Sequence, residues 1–130
     1  MNQTITVEVA PGELIDKITI LEIKAERIED AEKRGNVMVE LATLTECRDR
    51  SIPASETLDR LTSDLRRVNE ALWVIEDDIR DCERDGSFGD KFIELARAVY
   101  QTNDKRAALK REINVLLGSR LIEEKSYQPY

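Results

Sequence analysis

The chain has 130 residues, a net charge of −7, 36% charged and 41% apolar residues, and no histidine. This length suits one domain with a small core. An acidic chain is repelled by phosphate backbones, and the absence of histidine removes the commonest general base and zinc ligand. No apolar run is long enough for a membrane span. We therefore expect a cytoplasmic protein that binds neither nucleic acid nor membranes, needs no cofactor, and has a composition that argues against an enzyme.

The two cysteines, Cys47 and Cys82, are far apart and lie in stretches with apolar periodicity. Two thiols without histidine are too few ligands for a structural zinc. They are predicted to be small core residues with free thiols.

The first ten residues predict an extended arm or a short strand. Ile5, Val7 and Val9 alternate with Thr6 and Glu8, the period of two that is typical of a strand. A single short strand is not stable alone. It must pair with the C-terminal tail, pair with a second subunit, or lie over the helices.

Residues 11–50 predict two helices. Helix one begins near Pro11 and extends to about Arg34, where Gly35 can adopt the left-handed stop. Helix two begins at Asn36 and ends near Arg50. The apolar residues of helix one occupy more than one face, so we expect neighbours on more than one side. They are Leu14, Ile15, Ile18, Ile20, Leu21, Ile23, Ala25 and Ile28.

Two long helices follow. Helix three runs from about Ser55 to Arg84, and helix four from a capping box beginning at Ser87 to about Gly118. Steps of three and four residues place one row of side chains along each helix. The row on helix three is Leu58, Leu61, Leu65, Val68, Leu72, Ile75, Ile79 and Cys82. The row on helix four is Phe92, Leu95, Val99, Thr102, Arg106, Leu109, Ile113 and Leu116.

The short loop between these helices requires them to run antiparallel. If Cys82 faces Phe92, the two rows meet through apolar pairs except at Thr102 and Arg106. We therefore predict an all-α fold, an antiparallel helical bundle built on a long coiled-coil-like hairpin, with a short N-terminal strand or arm. The arm, the helices and the tail of this single domain (1–130) are residues 1–10, 11–118 and 119–130.

Arg106 interrupts the apolar row of helix four. A guanidinium there must be paired or solvated, because an isolated buried charge is very costly. Asn69 and Asn103 lie close to it in this register, which predicts a pocket for a small anion or polar ligand. The alternative is a buried polar layer that fixes the helix register. The acids nearest to the arginine are Glu22, Glu26 and Glu70.

The middle of helix three, residues 71–75, is apolar on every face. Other helices or a second subunit must therefore cover it. Trp73 lies opposite the predicted seam, so its ring marks either a contact within the chain or a homodimer interface.

Two pairs of acids allow an enzymatic interpretation. The pairs are Glu26 with Glu29 and Glu46 with Asp49. Their spacing resembles the ExxE…ExxD pattern of all-α nucleotide pyrophosphohydrolases, whose carboxylates hold magnesium against a triphosphate. With 27 acidic residues in the chain, such spacings also arise by chance. A further acidic run at 76–81 has arginines three and four residues away, which is typical of surface ion pairs.

A second enzymatic alternative is a chorismate-mutase-like bundle, whose pocket holds a dicarboxylate with arginine and lysine. The candidate residues are Arg27, Arg97, Arg106 and Arg111. This analogy rests on the helical fold and on bases that lean inward.

Three blocks and the tail resemble a family of small bacterial proteins of about 130 residues, known as a domain of unknown function. The blocks are PGELIDKITILEIKAERI at 11–28, LRRVNEALWVIEDDIR at 65–80 and FIELARAVYQTNDKRAALKREIN at 92–114, with EEKSY at 123–127. They contain Asn69, Asn103 and Arg106. The resemblance implies a bacterial, cytoplasmic, helical protein and no particular reaction.

We interpret the chain as a binding or assembly module that acts through helical packing. We expect a homo-oligomer, in the simplest case a dimer, and a protein partner would also suit it. Magnesium would be needed only by the pyrophosphohydrolase alternative.

Overall fold

The computed structural model describes residues 3–130, which form four α-helices. Their bounds are Pro11–Arg27 for α1, Ala31–Ser51 for α2, Glu56–Asp85 for α3 and Asp90–Leu116 for α4. The all-α prediction is confirmed. No strand forms within residues 3–130, and none of their helices has the length and apolar character to cross a membrane.

The boundary between the first two helices lies nearer the N-terminus than predicted. α1 ends at Arg27, and the Asp30 carboxylate caps α2 by accepting a hydrogen bond from the Lys33 backbone N–H at 2.9 Å. Gly35 therefore lies inside α2 instead of ending α1, and Asn36 is not a cap. The carboxylate cap of Asp30 outweighs the cost of about 1 kcal/mol for a glycine in a helix interior.

α1 is the most deeply buried helix, with eight buried residues against five in α3 and two in α4. It contacts the other three helices, which confirms the prediction of neighbours on more than one side. α2 contacts α1 alone and buries none of its own residues. Because α1 packs against each of the other three helices, it is the central element of the bundle.

α3 and α4 are joined by a tight turn. α3 begins next to Ser55, close to the predicted start, and the Ser55 hydroxyl caps it. Gly86 ends α3 with a left-handed backbone, φ 68°. The capping box predicted at Ser87 was wrong. The Ser87 N–H binds the Cys82 carbonyl at 2.8 Å and so belongs to the end of α3, while the residue that precedes α4 is Gly89, without a side-chain cap.

Only part of the predicted apolar row is fully buried. One core cluster contains Ile15, Leu58, Leu61, Leu65 and Ile113. From Val68 to Ile79 the row residues of α3 are half-buried, and burial returns at Cys82. α1 has 17 residues and is roughly 26 Å long, whereas α3 has 30 residues and is roughly 45 Å long. α1 therefore covers only part of the α3–α4 hairpin.

Both cysteines have free thiols, as predicted. Cys82 is buried, but Cys47 is only half-buried, so its predicted place in the core was wrong.

The start of α1 touches α4 directly. The Gly12 N–H donates to Asn114 Oδ1 at 2.7 Å, and a Cβ at position 12 would lie 2.4 Å from the Lys110 carbonyl oxygen. Lys110 Nζ pairs with Glu13 at 2.7 Å and with Glu123 of the tail at 3.0 Å. These contacts fix the position of the first turn of α1 along the axis of α4.

The segments before α1 and after α4, residues 3–9 and 121–130, contain no helix or strand. Residues 3–9 form an arm rather than a strand within the protomer. The tail runs back along α4, where Arg111 pairs with Glu124 at 3.0 Å and the ring of Tyr130 packs edge-on against Tyr100. Acids of the tail therefore neutralise Lys110 and Arg111 of α4.

Candidate functional site

A buried carboxylate links α1 to the α3–α4 pair. Asp16 is 1% exposed and accepts hydrogen bonds from Asn69 Nδ2 and Arg106 Nε, both at 2.9 Å. Its second oxygen pairs with Arg106 Nη2. The Thr19 hydroxyl donates to the Asp16 backbone carbonyl at 2.7 Å and accepts from the same Asn69 amide at 2.9 Å. The network gives hydrogen-bond partners to the Asp16 carboxylate, the Thr19 hydroxyl and the Asn69 amide nitrogen, as low-dielectric surroundings require.

The partner of Arg106 differs from the acids that the sequence indicated. Those acids surround Arg66 on α3 instead. They are Glu22, Glu26 and Glu70. Sequence reasoning missed Asp16, although an acid directly after Ile15 and two positions before Ile18 on the most apolar helix was a usable signal.

The open side of this network is a cleft of about 470 Å³ between α1, α3 and α4. Its lining includes all three residues predicted to bind a ligand, Asn69, Asn103 and Arg106, together with Trp73. The structure therefore brings together, from two helices, the side chains that the sequence singled out. Trp73 is half-buried and belongs to the wall of this cleft.

Three polar groups retain hydrogen-bonding capacity. Asn69 uses both amide hydrogens on Asp16 and Thr19, and its Oδ1 has no partner among residues 3–130. Arg106 Nη1 and the half-buried amide of Asn103 also have no partner within the described chain.

The cleft carries charges of both signs beside an apolar wall. The hydrogen bonds to Asp16 raise the pKa of Arg106, against an opposing effect of burial, so the guanidinium stays a cation. At the rim, Arg80 pairs with Glu76 at 3.2 Å, as their spacing predicts. Further lining residues supply a third cation, an acid without an ion-pair partner within residues 3–130, and apolar contacts. They are Lys24, Asp77, Ile20 and Leu72.

The acids of the predicted magnesium site do not converge. They are Glu26, Glu29, Glu46 and Asp49. Lys17 Nζ contacts Glu40 at 3.4 Å and Arg34 Nε donates to the Ala25 carbonyl, so α1 and α2 are antiparallel. The second pair of acids therefore lies beside the start of α1, on the order of 20 Å from the first pair at its end. Within residues 3–130 no group of three or more acids or thiols could hold a metal ion.

The arginines of the chorismate-mutase-like alternative are also dispersed. Arg106 lines the cleft, whereas Arg27 and Arg97 are exposed elsewhere. Arg111 pairs with Glu124 of the tail. These four arginines therefore do not share one pocket within residues 3–130.

A family model described as a family of unknown function (DUF6165) matches residues 5–130. This match confirms the resemblance to a domain of unknown function of about this length. No curated protein and no solved structure matches the chain.

Proposed function

The chain belongs to DUF6165, a family of unknown function, and we propose that it is a binding module whose cleft takes a small polar molecule. The observation that carries the proposal is the placement of Asn69, Asn103 and Arg106 on one cleft, with Trp73 in its wall. A few convergent polar groups against an apolar wall are typical of ligand sites.

The buried carboxylate of Asp16 supports this assignment. Two hydrogen bonds hold the guanidinium of Arg106 in one orientation, so its free Nη1 needs little ordering when a ligand binds. A carboxylate or phosphate is the group that this nitrogen and the Asn103 amide would bind. A flat apolar part of the ligand would lie against Trp73.

The experiment uses Trp73, the only tryptophan in the chain, as its reporter. Its fluorescence is titrated with benzoate and with phenyl phosphate, and with benzamidine as a cation of similar shape. We expect a saturable change with at least one of the two anions and none with benzamidine.

A matched pair of variants places the binding in the cleft. Asn103→Leu removes a donor that has no partner within the described chain, and should weaken binding about tenfold because one hydrogen bond is lost. Arg111→Gln changes a cation of the same helix outside the cleft and should leave binding unchanged. No saturable signal at millimolar probe, or equal losses in both variants, would refute the proposal.

We further propose that the protein assembles as a homodimer, and a specific observation favours it. The protomer exposes 9463 Å², whereas a globular monomer of 14.9 kDa exposes about 7,000 Å². The surplus of about 2,400 Å² exceeds the roughly 800 Å² per partner of a standard interface. The dimer interface at Trp73 stays a prediction, supported by its neighbour Val74, which is 45% exposed.

The molar mass in solution, measured by light scattering, tests the dimer. We expect about twice 14.9 kDa at micromolar concentration, and a monomer at all concentrations would refute it. Neither proposal requires a cofactor, a membrane or nucleic acid, and both suit a cytoplasmic protein. The surface at Trp73 and Val74 is also where a protein partner would bind.

A further inference from the structure

We propose that residues 4–10 of two copies pair as an antiparallel β-ribbon whose two-fold axis passes through Val7. This inference rests on the proposed homodimer and names the segment that joins the copies. The observation behind it is a segment with strand periodicity that has no strand partner in its own chain.

The arm exposes apolar side chains in a regular pattern. Ile5, Val7 and Val9 are 83%, 68% and 50% exposed. Alternation at a period of two puts all three on one face of an extended chain, and β-branched residues favour that conformation. Covering such a face lowers the free energy of the protein in water.

The backbone N–H and C=O groups of arm residues 3–9 have no hydrogen-bond partner within residues 3–130. A row of free N–H and C=O groups on an extended segment is a template for another strand. Apolar side chains and a free backbone on the same segment therefore indicate a strand partner.

The charge pattern favours a second copy of the same segment as that partner. With Val7 opposite its own copy, Ile5 faces Val9 and Thr6 faces Glu8. The side chains of Ile5, Val7 and Val9 from both copies then share one face, and no acid lies directly opposite another acid. Like charges directly opposite destabilise a pair of strands, so this register has no electrostatic penalty of that kind.

The tail of the same chain is a poorer partner because it is already held elsewhere. Lys110 binds Glu123, and Arg111 binds Glu124, which fix the tail along α4. The link from arm to tail is a side-chain pair, Glu8 with Arg120 at 2.8 Å.

Apolar tail residues lie beside the arm and can support the ribbon. A groove of about 290 Å³ contains Val9 together with Leu121 and Ile122. A two-stranded ribbon is marginal in water unless its apolar face packs on something, and these side chains provide that contact.

Two lysine substitutions at neighbouring positions test the register. Val7→Lys removes an apolar side chain and places two lysines opposite each other on the axis, so the dissociation constant of the dimer should rise tenfold or more. Thr6→Lys places each lysine opposite Glu8 of the other copy, so it should leave the dimer intact or tighten it. Light scattering over a concentration series measures both, and circular dichroism checks that the helices are retained.

The outcomes separate this inference from the homodimer itself. A wild-type dimer that Val7→Lys dissociates and Thr6→Lys does not supports the ribbon. A wild-type dimer that both variants leave unchanged, or both dissociate, overturns the ribbon while the homodimer stands. A monomeric wild type overturns both.

Discussion

The Asp16 carboxylate and the Arg106 guanidinium form a two-point ion pair across 90 positions of sequence. The acid is 1% exposed, and the side chain of the arginine retains 30% exposure. The pair therefore joins the interior of the bundle to the cleft. It serves as the polar layer that fixes α1 on the hairpin and also as the support of the candidate ligand site, so the two interpretations of Arg106 are compatible.

The substitution Asp16→Ala should destabilise the fold by about 3 kcal/mol. Removing one member of a buried pair leaves an uncompensated charge, and here Asn69 also loses an acceptor. Urea unfolding measures the free energy. Asp49→Ala is the control, because that acid is exposed and pairs only with its neighbour Arg48, so the change should stay within about 0.5 kcal/mol. Equal losses in the two variants would contradict the role assigned to Asp16.

Two glycines should respond in opposite ways to alanine. Gly12→Ala puts a Cβ 2.4 Å from the Lys110 carbonyl oxygen, so α1 must shift away from α4, and we expect a loss of about 2 kcal/mol or more. Gly35→Ala lies inside α2 with open space around it and should stabilise by about 0.5–1 kcal/mol, because alanine is the better helix former. Thermal unfolding of both variants checks the prediction. A neutral Gly12→Ala would mean that the two helices are not in direct contact.

The cap that Asn114 provides for α1 predicts a third effect. Asn114→Ala should cost about 1–2 kcal/mol, because the buried Gly12 N–H loses its acceptor. Asn103→Ala, which removes a half-buried amide without a partner in the described chain, should change stability by less than about 0.5 kcal/mol. Urea unfolding compares the two, and a smaller loss for Asn114→Ala than for Asn103→Ala would exclude the cap.

The anchor of the tail should depend on pH. Hydrogen bonding to Lys110 lowers the pKa of Glu123 below its ordinary value of 4.5. A carboxyl whose folded pKa is lowered stabilises the folded tail above its unfolded pKa, and this contribution is lost as the pH falls through the folded value. The anchor should therefore be complete near neutrality and weaken below a pH of about 4.5.

A carbon NMR titration of the Glu123 carboxyl measures this effect. Lys110→Gln should raise the midpoint towards 4.5, and Arg111→Gln, whose partner is Glu124, should leave it unchanged. At alkaline pH, the anchor depends on the charge of Lys110. Burial lowers the pKa of Lys110, but hydrogen bonds to Glu13 and Glu123 outweigh it and raise that pKa above 10.5, so the ion pair is retained until strongly alkaline pH. An unchanged midpoint in Lys110→Gln would contradict the anchor.

The sequence by itself determined the helices, most of their ends, and three of the residues that line the cleft. The starts of α1 and α3 were predicted close to Pro11 and Ser55, because a residue at the start of a helix acts on its own helix. Arg106 was identified as a candidate site residue because its charge interrupts the apolar row of helix four. These signals are local, and a local pattern keeps its meaning whatever packs around it.

Only the tertiary structure decided which groups meet. The strongest periodic pattern lies in α3 and α4, yet α1 is the most buried helix, because its neighbours on three sides come from distant parts of the chain. The partner of Arg106 is Asp16 rather than an acid nearer in the predicted register, and the two pairs of acids stay apart because α2 packs antiparallel on α1. Burial and pairing depend on packing between elements, and sequence periodicity describes one element at a time.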